Sequence, residues 1–259
     1  MKIGVTYNLF DGEELLEDSI RSIRDDVDYI NVIYQDVSNF GVKNSTQVKD
    51  ILKQLYDNKM IDDVFLYNPN LKVYANINEI KKRNIGLNKC RENNCDFVML
   101  MDTDEFYNNK QLKNIIEYSI KNNLDAVYSK MYTYYKTKNY ILDPIETYYV
   151  PVLYKIHPNT KLDIHTKSPY VVDGTRKSTT IDKYKLFDEN ELVMHHMSYV
   201  RKDIRKKLMN SSARINFNDY ISEMVDHYNN WDISKGALVD HLGGKPKHYN
   251  LKYTNEWGE

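Results

Sequence analysis

The 259-residue chain has a formal net charge of −1 and is 41% hydrophobic. It can bury a sizeable core without covalent staples, and its charge gives no electrostatic case for nucleic acid or an acidic membrane surface. Its two cysteines, Cys90 and Cys95, fall in one helix-like stretch and read as neither a disulfide framework nor a zinc site. A reducing, cytoplasmic setting is expected, since MKIGVTY does not read as a signal peptide and no window is membrane-length and apolar. The 23 tyrosines invite a sugar-stacking reading, but AT-rich coding bias accounts for them together with the abundant Asn, Lys and Ile.

The first half alternates. KIGVTY (2–7) predicts a strand, and EELLEDSIRSI a helix striped by Leu16, Ile20 and Ile23. YINVIY (29–34) is a second strand, 46–59 a helix with Val48, Ile51, Leu52 and Leu55 on one face, and DVFLY (63–67) a third strand. A long helix over 76–94 precedes the strand DFVMLM (96–101); helix 109–122 and strand DAVYSKMY (125–132) follow. Such alternation predicts an α/β fold, an open, mostly parallel twisted sheet flanked by helices, with ligands at the carboxyl ends of the strands. In the second half TYYVPVLYKI, LDIHTK, YVVD and ELVMHHMSYV predict shorter strands. Helices over 199–213 and 217–230 then lead to a Gly- and Pro-containing tail. One domain over 1–198 with a C-terminal helical extension over 199–259 is the expected organisation.

The motif that carries chemistry is FVMLMDTDEFY, where an apolar strand ends in Asp102, Thr103, Asp104 and Glu105. Neither GxGxxG nor GKS/GKT occurs, so a nucleotide held here needs positive charge from another source, and a metal ion would supply it. Asp-x-Asp occurs twice. Asp26/Asp28 lies in a polar connection and reads as solvated, whereas Asp102/Asp104 lies where an open sheet places its ligands. Hard carboxylate oxygens around a turn suit Mn2+ or Mg2+ with a diphosphate completing the shell.

Upstream, Arg83 and Asn84 fall within the helical stripe of Ile77, Ile80, Leu87 and Cys90. A charge on a buried face needs a partner, here Asp102, Glu105 or a phosphate. Thr6, Tyr7 and Asn8 close the first strand, with Asp11 beyond, and Gln35, Asp36 and Ser38 close the second. Either His195 or His196, on opposite faces of one strand, would add an imidazole to a metal.

Three segments resemble glycosyltransferase family 2-like proteins: IGVTYNLFDGEELLEDSIRSI, KKRNIGL followed by DFVMLMDTDEF, and HHMSYVRKDIRKKL. The resemblance implies a GT-A fold using a nucleotide-sugar donor, commonly UDP-linked, and a glycan or other hydroxyl acceptor. It implies a nucleotide-sugar-binding half over 1–105 and an acceptor half over 106–198. By position, Asp36 would contact the nucleoside, Arg83 the donor or the frame of its site, Asp102 ribose or metal, and Asp104 the metal; His196 matches the late histidine, with His195 the alternative. Departures are QDVSNFG in place of Asp-Asp-x-Ser and Thr166 in place of an acidic residue. HLGGKP is also similar to a motif of retaining family 8 enzymes, though shorter.

An inverting reaction needs a general base. Asp163, His165, Asp188 and Glu191 are in range, with Asp163 and His165 preferred. Some of Tyr132, Tyr134, Tyr135, Tyr148 and Tyr149 would stack on sugar faces. The competing functions are a nucleotidyltransferase acting on a sugar phosphate, which usually needs a Gly-rich basic first loop, and a non-catalytic carbohydrate-binding or scaffold protein.

Overall fold

Residues 1–241 and 244–257 are described in the structure, a computed structural model. The chain runs β1 (Ile3–Leu9), α1 (Glu13–Arg21), β2 (Tyr29–Tyr34), α2 (Gln47–Asp57), β3 (Asp63–Leu66), α3 (Ala75–Glu92), β4 (Phe97–Asp102), β5 (Glu105–Phe106), α4 (Asn109–Asn122) and β6 (Ala126–Tyr135). It continues through β7 (Tyr140–Asp143), β8 (Val150–Lys155), β9 (Tyr184–Leu186), β10 (Val193–Tyr199), α5 (Ile204–Asn210), α6 (Ile221–Asn229), β11 (Ala237–His241) and β12 (Gly244–Tyr253). The chain divides into two compact units, Met1–Lys130 with Tyr148–Met194, and Met131–Thr147 with His195–Glu259. This division falls elsewhere than the expected boundary at 198, because β6 and β10 each run from the first unit into the second. No helix among the described residues is long and apolar enough to cross a membrane.

In the first unit the strands lie in the order β6-β8-β4-β1-β2-β3, with β9 on the other side of β6. β1, β2, β3 and β4 are parallel to their neighbours among themselves, and β8 is antiparallel to both β4 and β6. YINVIY and FVMLMD are buried along almost their whole length, as strands covered on both faces must be. Gly12 opens α1 at φ 81°, a left-handed conformation that costs glycine nothing. Asn108 caps α4 by accepting the Lys110 and Gln111 N–H groups.

From β1 the chain proceeds outward to β2 and β3, then returns through α3 to β4 on the other side of β1. The strand order therefore reverses between β1 and β4, and the crevice outside their carboxyl ends is the ligand position of such sheets.

The second unit is an antiparallel run in which the end of β6 pairs β7, β7 pairs β12 and β12 pairs β11. Tyr135, Leu142, Leu208, Phe217, Met224 and Leu238 share its core. The tail expected after the helices thus folds largely as strands. Leu242 and Gly243 of HLGGKP lie outside the described residues. LDIHTK and YVVD form isolated bridges, Leu162 with Ser178 and Val172 with Tyr149, in place of the expected strands; both are short, LDIHTK is interrupted by exposed His165 and Lys167, and YVVD by exposed Val171.

Candidate functional site

β1 and β4 pair with Asn8 opposite Asp102, so both side chains leave the sheet on one face. Thr6 leaves on that face too, and α3 covers it. An added Cβ on Gly86 would stand 1.7 Å from Thr6 Oγ1, so only glycine lets the helix lie this close. One turn nearer the helix start, the same approach carries Lys82 and Arg83 over the strand ends. Arg83, 2% exposed, donates through Nη2 to both oxygens of Asp102 at 3.1 and 3.0 Å. Lys82 donates to Gln35 Oε1 at 2.7 Å and to the Leu9 carbonyl at 3.3 Å.

A second guanidinium meets the same acids. Arg176, in a 3-10 turn over Gly174–Arg176, donates to Asp102 Oδ2 at 2.6 Å, to Glu105 through both terminal nitrogens and to the Leu100 carbonyl at 3.2 Å. Glu105 Oε2 also accepts the Asp102 N–H at 3.0 Å. Glu105 is thus bound by Arg176 and by the N–H of its own turn.

Burial alone raises the Asp102 pKa, but Arg83 and Arg176 overcome it and bring the carboxyl down to about 2. Burial lowers Lys82 to about 8, against the opposing pull of Glu79 and Asp102. It raises Glu79, which Arg83 partly offsets.

The recess is not closed by its own groups. Asn8 is 9% exposed, and among the described residues neither its Nδ2 nor its Oδ1 has a hydrogen-bond partner. The same holds for Arg83 Nε and Nη1. Buried polar atoms of this kind call for a partner from outside the chain. Asp102 keeps 35% of its side chain exposed, so solvent or a ligand reaches this point.

The other expected contacts distribute as follows. Thr103 Oγ1 donates to the Asp11 carbonyl at 2.9 Å, joining the loops after β4 and β1. Asn44 Nδ2 donates to the Phe10 and Gln35 carbonyls, joining the loops after β1 and β2. Asp36 pairs with Lys49 at 2.8 Å on the half-exposed edge of β2. Tyr7 leaves the sheet on the opposite face, fully buried, with its hydroxyl 3.0 Å from Ser19 Oγ. Thr6 lies beneath Gly86. Both are thus packed within the protein, Thr6 under α3 and Tyr7 against α1.

Asp104 is buried, and its charge raises Asp102. No group of three or more His, Cys, Asp or Glu able to hold a metal occurs among the described residues. Asp102 is matched by two cations, Arg83 and Arg176.

In the second unit His195 is fully buried, its Nδ1 2.8 Å from the Tyr134 hydroxyl and its Nε2 3.2 Å from Glu256. By hydrogen-bond geometry, Nε2 has no partner among the described residues. His196 is half-buried, and its charge acts on Glu146. Tyr134 and Tyr135 are fully buried, which removes them from the expected sugar-stacking set.

Asp163 and His165 are on the loop that Asn84 holds to α3. The Asn84 amide donates to the Leu162 carbonyl at 2.9 Å and accepts its N–H at 2.8 Å. Asp163 Oδ1 accepts the His165 N–H at 3.0 Å, which with Lys161 holds its pKa below the ordinary value, and His165 is exposed.

The fold is similar to that of TarS from S. aureus. The crystal structure of TarS 1–349 superposes with a TM-score of 0.50 at 15% identity, covering 89% of this chain and 72% of that one. The same fragment in complex with UDP gives 0.50 at 14% identity, covering 91% and 74%. Against the longer TarS chain the score is 0.50 at 14% identity, and the match spans 45% of TarS. No family model and no curated protein matches the sequence. The likeness establishes the fold, an α/β mixed and mostly parallel sheet flanked by helices of GT-A-like type.

Three residues of the site escape a reading of the sequence. Arg176 lies 74 positions from Asp102 in an irregular loop, with no periodic signal. Lys82 and Gly86 did carry one. Glu79, Lys82, Arg83, Gly86 and Cys90 recur at helical spacing as a second stripe, polar and small, beside the apolar one.

Proposed function

We propose that the chain is a metal-dependent glycosyltransferase, moving a sugar from a UDP-linked donor to a hydroxyl acceptor on a glycan or similar molecule. The observation that carries this reading is a set of buried atoms without partners among the described residues, Asn8 Nδ2 and Oδ1 and Arg83 Nε and Nη1, beside Asp102 at the point where the strand order reverses. A fold shared with TarS, which has been crystallised in complex with UDP, supports a nucleotide as the occupant.

In this reading Asn8 offers a donor and an acceptor to the nucleoside, and the inward N–H groups of Arg83 bind the donor. Asp104 would hold Mn2+ or Mg2+ together with the diphosphate. The cation supplies charge neutralisation for the departing diphosphate. Arg176 holds Asp102 and Glu105 in place, so that the turn carrying Asp104 is rigid before substrate arrives. Asp163, kept ionised, is the proposed base on the acceptor side, with His165 its neighbour on the same loop.

Titration calorimetry with UDP, with and without Mn2+, tests the proposal. Metal-dependent UDP binding that Asp104→Ala abolishes is expected. Failure to bind any nucleotide removes the transferase reading, and sugar binding without metal favours a carbohydrate-binding scaffold.

A further inference from the structure

The two cysteines of the chain meet at the carboxyl end of α3. The helix closes with Asn94 in the left-handed region, at φ 57°. The Cys95 N–H donates to the Cys90 carbonyl and the Asn94 N–H to the Arg91 carbonyl, both at 3.0 Å. This pair of hydrogen bonds folds the chain back, so that the side chains of residues 90 and 95 come together. Two apolar side chains commonly fill that contact; here both are free thiols.

The strand beneath leaves them room. A Cβ on Gly4 would stand 2.7 Å from Cys90 Sγ and 2.9 Å from Cys95 Sγ, so both sulfurs lie against one point of β1. The two thiols share a hydrogen bond, and Asn31 Nδ2 donates to Cys90 Sγ at 3.3 Å.

The sulfurs are not equivalent. Cys90 is fully buried, and its contact with Cys95 together with burial pushes its thiol well above the ordinary range. Cys95 is shifted the other way by the hydrogen bond from Cys90, with help from Lys2 against partial burial. The Lys2 ammonium is held nearby, donating to the Asn93 carbonyl at 2.9 Å. Cys95 is also nearer to solvent, 6% exposed between the exposed Asn94 and Asp96.

We infer that Cys90 and Cys95 are a redox-active dithiol, which hydrogen peroxide converts within one chain to a reversible disulfide. The Cys95 thiolate attacks a peroxide oxygen, the O–O bond breaks, and the hydroxide released takes up the thiol's proton as water. The resulting Cys95 sulfenic acid is attacked at sulfur by Cys90. The S–O bond breaks, and the hydroxyl leaves with the Cys90 proton as a second water. An ionisable thiol in contact with a second one is the arrangement of a sensor and its resolving cysteine, whereas a buried cysteine by itself is inert. In a reducing setting such a bridge is transient and reports oxidation. The inference stands apart from the transferase reading, and its test uses no nucleotide.

Peroxide treatment of the folded full chain, followed by alkylation after unfolding and mass analysis, tests it. The treated parent should lose both alkylatable thiols together, show a mass lower by two hydrogens, and yield a peptide bridged between Cys90 and Cys95. Dithiothreitol should restore both thiols. In Cys90→Ser the sulfenic acid has no resolving partner, and dimedone should label Cys95. In Cys95→Ser, Cys90 should oxidise at least about tenfold more slowly than the parent pair. Circular dichroism checks the fold of both variants, and the parent result needs neither. Two alkylatable thiols in the treated parent, with free cysteine oxidised in the same mixture, overturn the inference. A disulfide between two chains, or oxidation to sulfinic acid without a bridge, overturns it as well.

Discussion

Helix α3 meets β1 in two different ways. At the amino end of the strand, Gly4 makes room for two sulfurs; a Cβ there would stand 2.7 Å from Cys90 Sγ and 2.9 Å from Cys95 Sγ. Asn31 closes the next layer, donating to the Gly86 carbonyl and to Cys90 Sγ, both at 3.3 Å. At the carboxyl end the same helix keeps long polar side chains, and Asn8 and Arg83 retain unsatisfied atoms.

Among the described residues Thr6 Oγ1 and Asn31 Oδ1 lack partners as well, yet Gly86 lies close over both. Beside Asn8, by contrast, Asp102 is still reached by solvent. Close packing at one end sets the approach of the helix, and that approach puts Arg83 on Asp102 at the other. Close packing and unmatched polar atoms are thus divided along one helix.

The largest expected effect comes from breaking the charge lattice that stiffens the open end. Arg176→Met leaves Asp102 and Glu105 without their shared cation in a buried setting, a loss of about 3–5 kcal/mol. Urea unfolding measures it, and adding Glu105→Gln should restore part of the loss. If Arg176→Met unfolds at the parent's midpoint, the open end does not depend on this pairing. Gly86→Ala tests the closed end. Its methyl has no space against Thr6, so the helix must shift, at a cost of about 1–3 kcal/mol, and UDP affinity should fall with it. Unchanged stability with unchanged affinity would uncouple the two ends.

The closed end was the easier half to foresee. YINVIY and DFVMLM have the unbroken apolar character of buried parallel strands, and YINVIY became β2 residue for residue. Asp102 and Asp104 were legible because an apolar strand ending in acids points to one edge of such a sheet. The orientation of α3 was less so. Ile77 and Ile80 suggested the buried face, but they are half-exposed, while Asn78, Lys82 and Arg83 are buried. The helix turns that face inward because its first turns lie over polar strand ends and loops, where hydrogen bonds outweigh apolar burial. Arg176 was illegible, since a loop contact of long sequence separation leaves no pattern. Nor could the strand pattern reveal the neighbours of His195, the Tyr134 hydroxyl beside Nδ1 and Glu256 near Nε2.

Asn8→Leu sharpens the contrast at lower cost. The substitution removes two buried atoms that the protein does not satisfy, so stability should stay level or rise by up to about 1 kcal/mol. UDP affinity should fall about tenfold, the worth of one or two hydrogen bonds. Calorimetry separates the outcomes, because an Asn8→Leu chain that binds UDP as the parent does would show that the open end serves another ligand.

The smallest effect is the acid dependence of the Asp102 lattice, and its sign follows from the direction of the shift. The folded chain holds this carboxyl at about 2, below its ordinary 3.8, so the stabilisation is complete above pH 4 and is lost as pH falls toward 2. With a third of the side chain in solvent, screening reduces the contribution to about 1 kcal/mol. Lys82 acts in the opposite sense and in another window. Its folded value near 8 lies below the ordinary 10.5, so the unfolded chain binds more protons between those values and stability rises with pH across them. Urea midpoints followed over both windows should therefore lose the acid slope in Asp102→Asn and the alkaline rise in Lys82→Met. If a variant loses the slope assigned to the other residue, the two charges belong to one coupled titration, and the open end behaves as a single ionisable unit rather than as separate contacts.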